Sequence, residues 1–135
     1  MKDKVFLDTN ILLYTIGQHD VRTPVAEGLV EQGGVVSVQV LNELASVAHR
    51  KLKMSWQEVA DALDAIRILC PSVVSITPET HDAALRLAVR HGFHIYDALI
   101  MAAALEAGCR TLYSEDMQSG QVIGDRLTIR NPFGE

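Results

Sequence analysis

Short apolar runs alternate with longer segments of helical period along almost the whole chain, and that alternation most constrains its fold. Val5-Phe6-Leu7, Val35-Val36-Ser37-Val38, Val73 to Ile76 and Thr111-Leu112-Tyr113 read as strands, with Leu127 to Ile129 as a fifth. Helical segments lie between them. One follows Asp8-Thr9-Asn10, which can cap it, and contains Ile11, Leu12 and Leu13; another runs from Pro24 to about Glu31 and is broken by Gly33-Gly34. A third runs from Gln39 to about Lys51, and a fourth from a Ser55–Glu58 capping box to about Leu69. Thr77-Pro78-Glu79 opens a fifth, closed by Gly92 after His91, and Tyr96 to Ala107 forms the last. Strands joined through helices cannot be hairpins; they imply a parallel sheet covered on both faces. The expectation is a three-layer α/β/α sandwich with a central, mainly parallel sheet of about five strands, folded as a single domain over residues 1–135. The segment from Tyr96 to Ala107 is apolar on nearly every side, so it belongs in the core or at a subunit interface.

Charge narrows the function. The 135 residues carry 12 Lys plus Arg against 17 Asp plus Glu, a net charge of −5. This excludes a protein that coats nucleic acid by bulk positive charge, because phosphate contacts need clustered Lys and Arg. A nuclease that meets phosphate through bound cations stays open. No apolar stretch approaches the ~20 residues of a membrane span, and Asp8 and Asn10 interrupt the N-terminal apolar patches before a signal-peptide core forms. Cys70 and Cys109 lack metal-ligand or redox spacing and suit a reduced, cytoplasmic setting.

In parallel sheets ligands gather outside the carboxyl ends of the strands, and acids fall there. Asp8 directly follows the first strand, Glu43 lies early in the helix after the second, Asp97 opens the apolar helix, and Asp116 follows the fourth strand beside Glu115. Each also has a plain reading: Asp8 as a helix cap, Asp97 as a partner of the helix dipole, Glu43 as part of a solvated stripe, Asp116 as a turn residue. Asp97, however, is the only charge between His94 and Leu105, on a helix that otherwise wants burial. Carboxylates held together repel unless a divalent cation neutralises them, and oxygen-only ligands favour Mg²⁺ or Mn²⁺ over zinc. The chemistry that matches such a site is metal-assisted phosphoester hydrolysis.

The segments Val5-Phe6-Leu7-Asp8-Thr9-Asn10-Ile11-Leu12, Leu41-Asn42-Glu43, Tyr96-Asp97-Ala98-Leu99 and Leu112-Tyr113-Ser114-Glu115-Asp116 closely resemble those of PIN-domain ribonucleases, above all the VapC-type toxins of bacterial toxin–antitoxin pairs. The resemblance implies a Mg²⁺- or Mn²⁺-dependent endoribonuclease with Asp8, Glu43, Asp97 and Asp116 at its acidic positions. Asp8 and Asp97 would be the principal metal ligands, with Glu43 and Asp116 completing the site. It further matches Ser114 to a small hydroxyl residue beside the last acid and Asn10 to a polar residue after the first. Glu115-Asp116 departs from the pattern by offering two adjacent acids, and Asp116 fits the motif's position. RNA is the implied substrate and a cognate antitoxin the implied protein partner; the apolar segment from Tyr96 to Ala107, with exposed leucines elsewhere, points to a homodimer.

Other chemistries fit less well. Asn10 stands where a haloacid-dehalogenase-type phosphatase needs a second Asp, and no glycine-rich phosphate loop or Ser–His–Asp signature occurs. His81, His91 and His94 have no metal-ligand pattern and read as surface. Arg50, two helical turns beyond Glu43 on the same stripe, is the best candidate for a phosphate contact near the acids. The rival reading is a catalytically inactive PIN-like module that binds protein or RNA. The four acids favour catalysis, since a mere scaffold has no need to tolerate their repulsion.

Overall fold

The computed structural model describes residues 3–17 and 19–134. In chain order its elements are β1 (Val5–Leu7), α1 (Thr9–Ile16), α2 (Thr23–Glu31), β2 (Val36–Ser37), α3 (Val38–Arg50) and α4 (Trp56–Leu69). They continue with β3 (Val73–Val74), α5 (Pro78–His91), α6 (Ile95–Glu106), β4 (Thr111–Tyr113), β5 (Val122–Ile123) and β6 (Leu127–Arg130). β1, β4, β6 and β5 form one sheet in that order, and β2 pairs with β3 in a second. Backbone bonds from Leu7 N to Val35 O (3.0 Å) and from Val35 N to Val5 O (2.8 Å) link β1 to the residue just before β2. The β1–β4, β4–β6 and β2–β3 pairings are all parallel.

The α/β class and the mainly parallel sheet are therefore as the sequence predicts, with local corrections. β2 ends at Ser37, not Val38, because the Ser37 hydroxyl accepts from Val40 N (3.2 Å) and so caps α3. β3 keeps only Val73 and Val74 of the run to Ile76. β5 has no counterpart in the sequence reading; it is an edge strand, antiparallel to β6, reached through a tight turn at Gly124 and Asp125. Two residues give too short a period for an alternation signal to register.

Phe6, Leu7, Ile11, Leu12, Leu44, Ile100, Leu112 and Ile129 are wholly buried and centre the core on β1, β4 and β6. α6 lies in that core, with every residue from Ala98 to Ala104 buried. Gly34 is needed for close approach: a Cβ there would stand 2.7 Å from the Leu7 side chain. Both cysteines are buried and unpaired, and burial pushes the Cys109 thiol up to about 11, so it packs as an apolar group. Among the described residues, no helix is long and apolar enough to cross a membrane.

Candidate active site

The parallel ladder sets the site. Asp8 N donates to Tyr113 O (3.0 Å) and Ser114 N to Arg130 O (3.0 Å), which continues the strands just far enough to hold Asp8 and Ser114 side by side at their carboxyl ends. Asp8 then turns the chain into α1. It sits in extended conformation as the N-cap, and its Oδ1 accepts from Thr9 N at 2.7 Å. The cap uses only part of the carboxylate. Oδ2 accepts from the Ser114 hydroxyl at 2.7 Å and from Asn10 Nδ2 at 3.2 Å.

Asn10 joins this acid to another. The same amide nitrogen donates to Asp116 Oδ2 at 3.0 Å, while Asn10 Oδ1 accepts from Glu115 N at 3.1 Å. Ser114 shapes the turn that follows, its Oγ accepting from the backbone N–H groups of Asp116 and Met117, each at 3.2 Å. On the opposite wall Glu43 is fixed by two donors, Thr9 Oγ1 to Oε1 (3.0 Å) and Gln39 Nε2 to Oε2 (2.8 Å). Asp97, in the first turn of α6, has no hydrogen-bond or ion-pair partner among the described residues.

Asp8, Glu43, Asp97 and Asp116 thus line one recess of about 360 Å³, and Arg50 and Lys51 line it too. Glu115 does not. Its Oε1 accepts from the Tyr14 hydroxyl (2.5 Å) and its Oε2 pairs with Arg22 Nη1 (2.6 Å), so the second acid of the Glu115-Asp116 pair faces a different set of groups. Of the residues singled out from sequence, Asn10 and Ser114 hold carboxylates, Arg50 faces them, and His94 caps α6 through an Nδ1 that accepts from Tyr96 N (3.2 Å). Thr9, Gln39 and Lys51 went unassigned. The Gln39–Glu43 spacing of one helical turn was the available signal for Gln39.

Like charge dominates the electrostatics. Asp8 is buried, and its carboxyl is raised to about 6, first by desolvation and further by Glu43 and Asp97; the Ser114 and Thr9 hydrogen bonds oppose the rise without cancelling it. Asp97, at the exposed rim, is also raised, first by desolvation and then by Glu43 and Asp116, against a lowering effect of His94. Hard oxygen donors with uncompensated negative charge suit Mg²⁺ or Mn²⁺. Among the described residues no three of these acids converge tightly enough to grip one ion directly. The donor chemistry therefore fits a divalent ion whose shell retains water, the usual habit of Mg²⁺.

A mainly parallel α/β domain with acids gathered at its strand ends places those side chains where ligands of such sheets bind. The chain belongs to the PIN domain family, which it matches over residues 5–121. Its structure is similar to that of VapC20 of Mycobacterium tuberculosis, described as a sarcin–ricin loop cleaving toxin, with a TM-score of 0.68, 22% identity and coverage of 84% of this chain and 90% of that one. It is similar as well to a chain of a toxin–antitoxin complex from Klebsiella pneumoniae, with a TM-score of 0.72, 16% identity and coverage of 96% and 98%. A chain of Rickettsia felis VapBC2 bound to a promoter DNA fragment gives a TM-score of 0.68, 21% identity and coverage of 94% and 97%. At such identities the likeness is one of fold. No curated protein matches the sequence.

Proposed function

We propose that the chain is a Mg²⁺- or Mn²⁺-dependent endoribonuclease, a single nuclease domain that acts as the toxin of a toxin–antitoxin pair. The observation that carries this reading is the recess itself: acids from four separate segments meet beside Arg50 and Lys51 in a PIN-domain chain. Asp8 and Asp97 would hold the metal, directly or through water, with Glu43 and Asp116 completing the set. The bound ion would supply charge neutralisation and Lewis acidity at a phosphodiester.

The chain's own residues do the rest. Ser114, Thr9 and Asn10 lock the Asp8 carboxylate, so its orientation is set before substrate arrives. Glu43, held at both oxygens, and Asp116, held by Asn10, orient the attacking water toward phosphorus. Arg50 and Lys51, at the end of α3, receive the phosphate's negative charge.

Two surfaces support the partner side of this reading. A groove of about 380 Å³ between α1, α2 and α4, lined by Ile16, Val30, Ile66 and Leu69 and edged by Glu27 and Glu31, suits an antitoxin segment with apolar and basic side chains. Leu85 and Val89, one turn apart on α5, and Tyr96 at the start of α6 are exposed and suit a second copy of the chain. A cytoplasmic location goes with an RNA substrate and with unpaired thiols. The test is cleavage of total RNA by the purified protein. Activity should vanish in EDTA, return with Mn²⁺, and fall at least about 100-fold in Asp8→Asn and Asp97→Asn. Metal-independent cleavage, or an Asp8→Asn protein as fast as the parent, contradicts the assignment.

A further inference from the structure

A second groove adjoins the acid recess and shares Ser46 and Arg50 with it. It has a volume of about 940 Å³ and lies between the end of α3 and the start of α4, with His49, Lys53 and Trp56 in its wall. Asp97 and Asp116 also line a third recess, which reaches His94 and Gln118. The acid recess thus shares lining residues with two further recesses, an extended surface suited to a strand and not to a small molecule that fills one hole.

The aromatic pair in the second groove is built rather than incidental. The rings of His49 and Trp56 stack with centroids 3.7 Å apart and planes 15° from parallel. His49 Nδ1 lies 2.9 Å from Met54 O, and since that carbonyl only accepts, Nδ1 carries the proton and the imidazole is fixed. Trp56 is the first residue of α4, placed by the Ser55–Glu58 capping box. With one face of its indole on His49 it is still 61% exposed, so the opposite face is open. A ring held this way presents a preset flat face on which another π-system can stack.

The charges around it agree with an anionic strand. Among the described residues neither Arg50 nor Lys53 enters an ion pair. Lys53 sits in the left-handed backbone region (φ 60°), a strained conformation that sets the α3–α4 turn. Glu58, the acid in this wall, is turned back onto Ser55 N at 2.8 Å by the capping box.

We propose that this groove is a nucleotide subsite flanking the scissile phosphate, in which an RNA base stacks on the open face of Trp56 while Arg50 and Lys53 meet the backbone phosphates. The subsite deepens the nuclease reading and rests on it. Stacking is sequence-tolerant because every base has a π-face, so the subsite adds affinity and register, not a base code.

Trp56 is the chain's only tryptophan, which makes it its own reporter. The experiment titrates the intact protein, in EDTA to prevent cleavage, with a single-stranded RNA of about 12 nucleotides, within the site size of such grooves. Indole emission should be quenched as RNA binds. By anisotropy of labelled RNA, Trp56→Ala should bind about 10-fold more weakly, Trp56→Phe should recover most of the loss, and Lys53→Ala should lower the salt dependence of binding. With Mn²⁺ present, Trp56→Ala should raise KM about 10-fold and leave kcat within a few-fold. Binding without quenching, or Trp56→Ala binding like the parent, overturns the subsite; if cleavage with Mn²⁺ persists, the nuclease reading survives that failure. Quenching in a protein that cuts no RNA leaves a groove that stacks RNA with no scissile phosphate beside it, and sinks the nuclease reading. A dimer whose Trp56 is already shielded and silent to RNA assigns this face to protein contact and ends the proposal.

Discussion

Glu115 turns toward Tyr14 and Arg22, whereas Asp116, the next residue, turns into the acid recess. The first surroundings are compensated. Arg22 bridges Glu115 and Asp20, each at 2.6 Å, and lies 4.7 Å over the Tyr14 ring. Each charge there helps the others: Arg22 holds Asp20 below the usual carboxylate range, and burial together with Glu115 pushes the Tyr14 phenol up to about 12. The second surroundings are uncompensated, and their effect on Asp8 and Asp97 is the reverse, a rise in pKa driven by desolvation and neighbouring acids. The contrast separates two uses of a carboxylate. One ties the turn after β4 to α1 and the start of α2. The other keeps charge unsatisfied at a place where an incoming cation can use it.

If the contrast holds, the metal-free protein should be limited by the recess. Asp8 has a folded pKa of about 6 against 3.8 for the unfolded chain, so the folded state binds the proton more tightly. Stability is then greatest below about pH 4 with respect to this group and is lost as pH rises through 6, by about 3 kcal/mol in all. Denaturant midpoints in EDTA should fall over that window. Asp8→Asn, which keeps an N-cap oxygen for Thr9, should abolish the decline and be the more stable protein at pH 7. A parent whose stability rises from pH 4 to 7 in step with Asp8→Asn would place the charge balance elsewhere.

The compensated side should behave oppositely and more weakly. Glu115→Gln retains an acceptor for Tyr14 but loses its charge toward Arg22, and solvent screening keeps the contribution of such a partly exposed pair small. It should lower the denaturant midpoint modestly and leave Mn²⁺-dependent RNA cleavage within a few-fold of the parent. Asp116→Asn, one residue on, should do the reverse. Equal loss of cleavage in both would erase the distinction between the two acids.

Much of this was legible in the chain because it depends on local pattern. Asp8 before an apolar helix, Ser55 with Glu58, and Thr77-Pro78 before α5 each carry their own capping chemistry, and each forms as read. The recess was also legible in outline, since parallel strand ends converge whatever lies between them. Part of what escaped depends on contacts distant in sequence. The motif's position favours Asp116 over Glu115, but the contacts that make the choice come from Arg22 and Tyr14, 93 and 101 residues away. The His49–Trp56 stack is close in sequence but hidden for another reason: it needs the particular α3–α4 turn at Lys53 to bring two helix ends together.

The central claim is that the uncompensated recess takes a divalent cation. The thermal melting of the EDTA-stripped protein, repeated with Mn²⁺ in excess, tests it most directly because no RNA need be known. A ligand at about 100 times its Kd adds about 2.7 kcal/mol to the folded state. The parent and Glu115→Gln should therefore gain several degrees in Tm, and Asp8→Asn should gain little or nothing. A parent that melts at the same temperature with and without Mn²⁺, or an Asp8→Asn protein that gains as much as the parent, contradicts the account.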